Sequence, residues 1–158
     1  MTTNQAIKRI NSWQQSGKSV VLTTGVFDLL HIEHIRFLTK AKLAGDKLIV
    51  GIENDKRVRD IKGVERPVNN HRIRIEQLEA LKVVDTAFLL PTQFSSQTDW
   101  EQFMRNLHPD TYAVSSHTSY LENKLNICQK FNIDFRIVHQ FNPDYSTTNL
   151  HQKLLAEL

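Results

Sequence analysis

Two histidines three residues apart carry the clearest chemical signal in this sequence. His31 and His34 stand at the start of a helical pattern, shortly after the apolar run 20–22. The residues between that run and the histidines include Thr24, Gly25, Val26, Phe27 and Asp28. Glycine lets the backbone turn towards a ligand, and the first turn of a helix offers unpaired N–H groups to an anion. Imidazoles at this spacing share one helix face and can both donate to phosphate oxygens, so the segment predicts a phosphate site.

Other roles for these side chains stay open on the residues alone. One histidine could cap the helix while the other lies half-buried with its hydrogen bonds satisfied. A zinc site fits poorly, because zinc proteases place two helical histidines four residues apart and no obvious third ligand follows. We therefore predict no metal held by the protein here. Asp28 could touch a magnesium ion, but an acid in a tight turn more often accepts hydrogen bonds from backbone amides.

A second group of hydroxyl side chains opens the last predicted helix. It consists of Ser146, Thr147 and Thr148. A serine or threonine at the start of a helix caps it, and capping alone is one explanation. The same helix end with two hydroxyls can also hold the β- and γ-phosphates of a nucleotide, which is the functional alternative.

The elements that must position these groups alternate regularly along the chain. Apolar patterns predict strands at 19–24, 47–52, 84–90, 111–115 and 133–138. Helical patterns lie at 3–16, through Ile35, Leu38, Ala41 and Lys42 to an end at Gly45, and at 69–82, 97–107, 118–131 and 147–157. Five apolar strands separated by helices predict a doubly wound α/β fold, with a parallel sheet covered on both faces. Ligands of such sheets lie at the carboxyl ends of the strands, where the turn at Gly25 is placed.

Length and composition limit the classes of protein that fit. With 158 residues, 40% apolar and 23% charged, we expect one domain over 1–158, its first 16 residues forming a surface helix. The lone Cys128 excludes an internal disulfide, and we expect it to be a small buried apolar group. A single unpaired cysteine also favours a cytoplasmic location. No apolar stretch approaches the roughly 18 residues of a membrane span, and the start lacks a secretory signal pattern. The net charge of +3 is scattered, which fits a phosphate ligand and does not indicate nucleic acid.

The motif around the two histidines resembles the signature of a known enzyme family. Gly25-Val26-Phe27-Asp28-x-x-His31-x-x-His34 is similar to the signature of the cytidylyltransferase-like nucleotidyltransferases. The likeness is strongest to the domain that adenylylates heptose 1-phosphate, followed by glycerol-3-phosphate cytidylyltransferase and archaeal FAD synthetase. Further matches are Leu38, Ala41-Lys42, Gly45-Asp46, Asn54-Asp55, Lys62-Gly63, Arg66-Pro67-Val68-Asn69, Arg74, Leu78, Val84-Asp85 and Ser146-Thr147-Thr148-Asn149-Leu150. The resemblance covers about residues 19–157.

This resemblance implies a reaction and its participants. A phosphate oxygen of an acceptor attacks the α-phosphorus of a nucleoside triphosphate and expels pyrophosphate, with Mg²⁺ bound mainly through the triphosphate. The protein mainly positions the reactants and stabilises charge in such chemistry. The small phosphorylated acceptor is a sugar or polyol phosphate, and analogy with the family implies a homodimer.

The resemblance also assigns roles to particular residues. His31 and His34 hold the triphosphate and stabilise the transition state, while Val26 and Phe27 supply backbone contacts. The resemblance also implies roles for two basic residues, each of which has a simpler alternative. Lys42 neutralises phosphate charge, although an exposed helix lysine is the simpler explanation. Arg74 reaches the acceptor or the triphosphate, or else pairs on the surface with Glu76 or Asp85.

Three departures from the family pattern bear on function. Glu33 stands where the motif has glycine, so either its carboxylate turns away to a basic group or it weakens nucleotide binding. Relatives carry a glycine and an acid after the fourth strand, whereas Ser115 and Ser116 begin a stretch of hydroxyls that can still bind a ligand. The arginine of cytidylyltransferases is absent near 141–142, which favours ATP over CTP. The alternative to an enzyme is therefore an impaired regulatory protein that binds a nucleotide or phosphometabolite.

Overall fold

Five parallel strands form the centre of the protein in the computed structural model, which describes residues 1–92 and 96–140. The strands are β1 (Val20–Gly25), β2 (Lys47–Ile52), β3 (Thr86–Leu89), β4 (Thr111–Ser115) and β5 (Asp134–His139). The helices are α1 (Thr3–Gln15), α2 (Ile32–Lys42), α3 (Asp55–Lys62), α4 (His71–Glu79), α5 (Gln97–Leu107) and α6 (Leu121–Lys130). The strand order β3-β2-β1-β4-β5 reverses direction between β1 and β4, which confirms the predicted doubly wound sheet.

Helices cover both faces of the sheet and bury two apolar layers. On the face we call the α6 face, α1, α5 and α6 pack over strand residues such as Leu22 and Ile49. On the face we call the α2 face, α2 and α4 pack over Val21 and Val50. Strand side chains alternate between the two faces, so neighbouring residues enter different layers. Cys128 lies fully buried on the α6 face, as predicted for a small apolar group.

The predicted elements within the described residues are confirmed, with one helix missed. Helix α3 has a single buried residue, Val58, so its sequence lacks the apolar periodicity that identifies amphipathic helices. Its ends nevertheless carry ordinary signals. Asn54 caps the first turn by accepting from the Arg57 amide, and Gly63 ends the helix at φ +100°. The predicted helix at 147–157 lies outside the described residues.

None of the helices in the described part of the chain is both long and apolar enough to cross a lipid bilayer.

Candidate functional site

A cavity of about 720 Å³ opens at the carboxyl ends of β1, β2 and β4. Residues 24–28 of the turn after β1 line it, together with His34 from α2 and Ser115 from β4. Its floor lies between β1 and β4, where the strand order reverses. The cavity is therefore at the place where doubly wound sheets bind their ligands, as the sequence predicted.

The turn after β1 depends on a close approach between Gly25 and Phe27. Phe27 adopts a left-handed backbone conformation, with φ +48°, and its buried ring folds back over the glycine. A Cβ atom at Gly25 would lie only 2.8 Å from Cε2 of Phe27. Glycine is needed here because of this ring, and the ring in turn lies 5.3 Å from that of His34.

The two imidazoles meet at the start of α2. Their ring centroids are 3.8 Å apart, with 28° between the planes, so His31 and His34 are stacked. His31 occupies the N-cap position, but its side chain makes no hydrogen bond to the helix within the described structure. The Nδ1 atoms of both rings are buried without a hydrogen-bond partner among the described residues. The structure thus joins the two histidines and does not use His31 as a side-chain cap.

Burial keeps both rings in the neutral form. It lowers the pKa of His31, although Glu33 opposes the shift, and together with the charge of His31 it lowers the pKa of His34 to about 3. A neutral imidazole carries one N–H donor and one acceptor nitrogen. A neutral ring can therefore donate one hydrogen bond to a phosphate oxygen, although the N–H of His34 also has the backbone of Leu29 as a partner, an interaction that raises its pKa.

The protonation state of His34 is directly testable by NMR. Because its pKa lies well below the ordinary 6.5, the ring ¹⁵N shifts should remain those of neutral imidazole from about pH 5 to about pH 8. The His34→Asn variant identifies the signal by its loss. A titration midpoint near 6.5 would contradict the buried, neutral state.

Asp28 has the structural role that its place in a tight turn favoured, and its contacts do not support the further prediction that it binds substrate. It is only 1% exposed and forms an ion pair with Arg66 at 2.6 Å. Its carboxylate also accepts from the amides of Val68 and Asn69 at 3.0 and 2.9 Å. These bonds attach the segment 66–69 to the turn after β1. The carboxylate is thereby committed to protein donors, which leaves it poorly suited to bind magnesium or substrate.

Arg74 lies behind the cavity and does not line it. Its side chain is 0% exposed and donates to the carbonyls of Val26, Glu53 and Asn69 and to the carboxylate of Asp55. The bonds tie α4 to the ends of β1 and β2. Arg74 therefore neither lines the cavity nor forms a surface pair with Glu76 or Asp85, which were the two expectations from the sequence. It is a buried residue that supports the strand ends.

Lys42 lies at the wrong end of the sheet for the role that the resemblance assigned. Its ammonium donates to the carboxylate of Asp85 and the carbonyl of Asp46, which lie just before β3 and β2. The cavity is at the other end of the strands. Five residue steps separate the ends of β1, or roughly 16 Å at about 3.3 Å per residue. Lys42 is not part of the candidate site. Helix α2 runs antiparallel to β1, so its last turn lies near the amino ends of the strands, away from the cavity.

Glu33 turns its carboxylate away from the cavity. The residue is 8% exposed and pairs with Arg36 one turn along α2 and with His139 at the end of β5, the latter at 2.9 Å. The hydrogen bond from Arg36 lowers the pKa of Glu33 despite burial, and His139 adds to the shift. The sequence left two possibilities for Glu33, a carboxylate that turns away to a basic group or one that weakens nucleotide binding. The structure shows the first.

The residues after β4 contribute differently from one another. Ser115 lines the cavity, and its hydroxyl is 2.8 Å from Nδ1 of His117, which also lines it. Ser116 is exposed and does not line the cavity, and its amide donates to the carbonyl of His139. The structure therefore brings only the first of the two predicted serines to the site. The predicted residues Ser146, Thr147 and Thr148 lie outside the described residues.

Three basic side chains that sequence reasoning did not assign to the site also line the cavity. Arg57 and Lys62 come from α3, and Lys124 comes from α6. Burial lowers the pKa of Lys62, with a further contribution from Arg66, and burial lowers that of Lys124 to about 8. The Lys62-Gly63 match to the family was a signal for the first lysine. Nothing local marks Lys124, because only the packing of α6 decides that it faces the cavity.

The only acidic lining residue besides Asp28 is Glu53, within the described part of the chain. Burial raises the pKa of its carboxyl, partly offset by Arg57 and Lys124. Since Arg66 already neutralises Asp28, basic groups outnumber unpaired acids in the cavity. Such a field favours an anionic ligand. In residues 1–92 and 96–140, no three His, Cys, Asp or Glu side chains group closely enough to hold a metal ion.

Curated relatives match most of this chain but only part of their own length. The chain is 37% identical over 149 residues to the bifunctional protein HldE of Sulfurimonas denitrificans, covering 94% of this chain and 29% of that protein. It is 34% identical over 140 residues to the HldE protein of Campylobacter fetus, covering 89% of this chain and 29% of the relative. The chain thus spans less than a third of these relatives.

Solved structures show the same architecture. The lipopolysaccharide core biosynthesis protein of Thermoplasma volcanium is 28% identical, with a TM-score of 0.63 over 80% of this chain and 98% of that one. Pantoate-beta-alanine ligase of Francisella tularensis is 17% identical, with a TM-score of 0.65 over 99% of this chain and 77% of that one, and supports the fold alone. The cytidylyltransferase-like family model matches residues 22–153. With that match over most of its length and the histidine turn at its cavity, the chain belongs to the cytidylyltransferase-like family.

Proposed function

We propose that this protein transfers a nucleoside monophosphate from a nucleoside triphosphate, ATP by preference, to a sugar or polyol phosphate and releases pyrophosphate. The observation that carries the proposal is the stacked pair of neutral imidazoles, His31 and His34, at the start of α2 beside a cavity with a basic lining. The family and the HldE relatives support a nucleotidyltransferase that acts on sugar phosphates. The preference for ATP rests on the missing arginine near 141–142.

In the proposed reaction the protein stabilises charge and forms no covalent bond. An acceptor phosphate oxygen bonds to the α-phosphorus while the bond from that phosphorus to the bridging oxygen of the β-phosphate breaks. Pyrophosphate leaves with the electron pair. In this proposal His34, which lines the cavity, and His31, whose ring stacks on it, donate to oxygens that gain charge in the transition state, with help from the backbone amides at the start of α2.

Magnesium, a homodimer and a cytoplasmic location belong to the same proposal. Magnesium would neutralise charge on the triphosphate. The described residues provide no cage for it, and Asp28 is occupied by Arg66, so the triphosphate oxygens would be its ligands. The family resemblance supports the dimer, and the lone cysteine, Cys128, fits a reducing compartment.

A pyrophosphate-release assay tests this function. The protein is incubated with Mg²⁺, each of the four ribonucleoside triphosphates and a panel of sugar 1-phosphates and polyol phosphates. We expect pyrophosphate in stoichiometric amounts with the nucleotidyl product, and the highest rate with ATP. Failure of every pair to release pyrophosphate would refute the proposal.

A regulatory protein that binds a nucleotide without turnover is the second candidate, and the feature that favours it is the presence of Glu33 at the position where the family motif has glycine. Because the carboxylate faces Arg36 and His139, we expect Glu33→Gly to leave the Kd of ATP within about twofold of wild type. Its melting temperature should fall below that of Glu122→Gly, a matched control at the second position of α6. A tenfold gain in ATP affinity, or new turnover, would show that Glu33 blocks the site.

A further inference from the structure

We propose that Glu53 and Lys124 together form a subsite that binds the hydroxyl groups of a carbon chain attached to phosphate. The inference rests on the proposed function, because it concerns the part of a substrate that the same cavity binds in addition to the reacting phosphates. Neither residue belongs to the motif of the turn or to the predicted phosphate groups. Their juxtaposition on one side of the cavity, Glu53 from the end of β2 and Lys124 from α6, carries the proposal.

The two residues occupy the half of the cavity that the histidines leave open. Glu53 directly follows β2, in phase with Ile49 and Gly51 on the α6 face of the sheet. Lys124 comes from α6, which covers the same face. His34, by contrast, contacts Phe27 in the layer of the α2 face. One side of the cavity thus presents the imidazole of His34, while the other presents a carboxylate and an ammonium group.

Glu53 has an oxygen that needs a donor. Its Oε2 is buried and has no hydrogen-bond partner among the described residues. Buried polar atoms in native proteins are almost always paired, so an unpaired oxygen at a cavity wall calls for a donor from a ligand or water. Burial raises the pKa of this carboxyl, as expected for a group without such a partner.

Lys124 supplies the complementary donor. Its ammonium donates to Oγ1 of Thr118 at 2.6 Å and lies 5.8 Å from the centre of the Trp100 ring. An ammonium group has three N–H donors, so the bond to Thr118 leaves others for a ligand. The charges of Lys124 and Glu53 influence each other, yet no ion pair within 4.0 Å joins them in the described structure. The two groups leave a gap between them that a ligand can bridge.

The electrostatic surroundings select the kind of donor that Glu53 receives. Its carboxylate could accept from an ammonium group or from a hydroxyl group of a ligand. Arg57, Lys124 and Arg74 all act on Glu53, so a further cation would be repelled by three neighbouring charges. A neutral hydroxyl group meets no such penalty. It can donate to Glu53 while a neighbouring hydroxyl accepts from Lys124, an arrangement that fits adjacent hydroxyls on one carbon chain.

Both substrates of the proposed reaction contain that chemistry, so matched probe pairs are needed to tell them apart. Mannose 1-phosphate and cyclohexyl phosphate share a six-membered ring and a phosphate, but only the first carries hydroxyls. ATP and 2′,3′-dideoxy-ATP differ only in the ribose hydroxyls. The Kd of each probe is measured by calorimetry for the wild-type protein and its variants, so the readout does not depend on turnover.

The variants remove either member of the pair. We expect the wild type to prefer the hydroxylated member of at least one probe pair by about tenfold or more. Glu53→Leu and Lys124→Met should each reduce that preference to below about threefold, with affinity for the other probe pair retained. If Glu53→Leu does not fold, Glu53→Gln replaces it in the test. Glutamine keeps the shape of the side chain and one acceptor oxygen, so this variant should show an intermediate preference for the hydroxylated probe. Glu122→Leu and Lys8→Met, at exposed helix positions, are the controls.

Each outcome has a definite meaning. Loss of preference in the sugar pair assigns the subsite to the acceptor, and loss in the ATP pair assigns it to the ribose. If the wild type shows no preference in either pair, or if the variants keep it, the subsite does not exist. If the hydroxyl preference is present but the protein releases no pyrophosphate with any substrate pair, the transferase proposal fails while the binding subsite stands.

Discussion

Replacing His34 by asparagine is expected to lower kcat for pyrophosphate release by about 10²- to 10³-fold, the usual cost of removing one preorganised donor from a developing negative charge. His31→Asn should produce a loss of similar size, because its ring stacks on that of His34 at 3.8 Å and is proposed to donate to the same triphosphate. The loss should appear in kcat more than in the KM of ATP, since the phosphate oxygens gain charge in the transition state and their hydrogen bonds to the rings are strongest there. Steady-state kinetics with the best substrate pair measures both constants.

A control histidine separates this effect from a general loss of structure. His108 ends α5 in a left-handed conformation at φ +42°, which asparagine tolerates well. His108→Asn should therefore retain the wild-type kcat and melting temperature. A loss of less than about threefold in both His31→Asn and His34→Asn would show that the stacked rings do not act on the reacting phosphates.

Replacing Arg74 by methionine is expected to lower the free energy of unfolding by about 3–5 kcal/mol, as for other buried ion pairs that lose one partner. Its guanidinium is fully buried and is bonded to three carbonyls and to Asp55. Methionine fills most of the space but leaves those acceptors without donors. Urea unfolding, monitored by circular dichroism, measures the change.

Arg72→Met, two residues earlier on the same helix, is the matched control. Arg72 is exposed, and its substitution should change the stability by less than about 0.5 kcal/mol. If Arg74→Met instead unfolds like the wild type while its KM for a substrate rises a hundredfold, Arg74 binds ligand and its supporting role is wrong. If both variants destabilise equally, burial of Arg74 is not what matters.

Local patterns in the sequence were sufficient where the information is contained within one element. The apolar β-branched runs predicted β2 at 47–52, and the helical spacing predicted α5 at 97–107. Gly25 marked a turn at which the backbone must bend closely, and the structure places the Phe27 ring over it. Helix α3 was missed for the same physical reason, because an element that buries only Val58 has no apolar period to detect.

The sequence by itself determined the described strands and helices except α3, the doubly wound class, and the segment around His31 and His34 that lies next to the cavity. Tertiary structure alone decided three further points. It placed Lys42 near the amino ends of the strands, buried Arg74 behind the cavity, and paired Glu33 with His139, which is 106 residues later in the sequence. Hydrophobic periodicity records which side of an element is buried, but not which other element covers it. The partners of a charged side chain depend on strand order, so Glu53 and Lys124 become neighbours only when the sheet assembles.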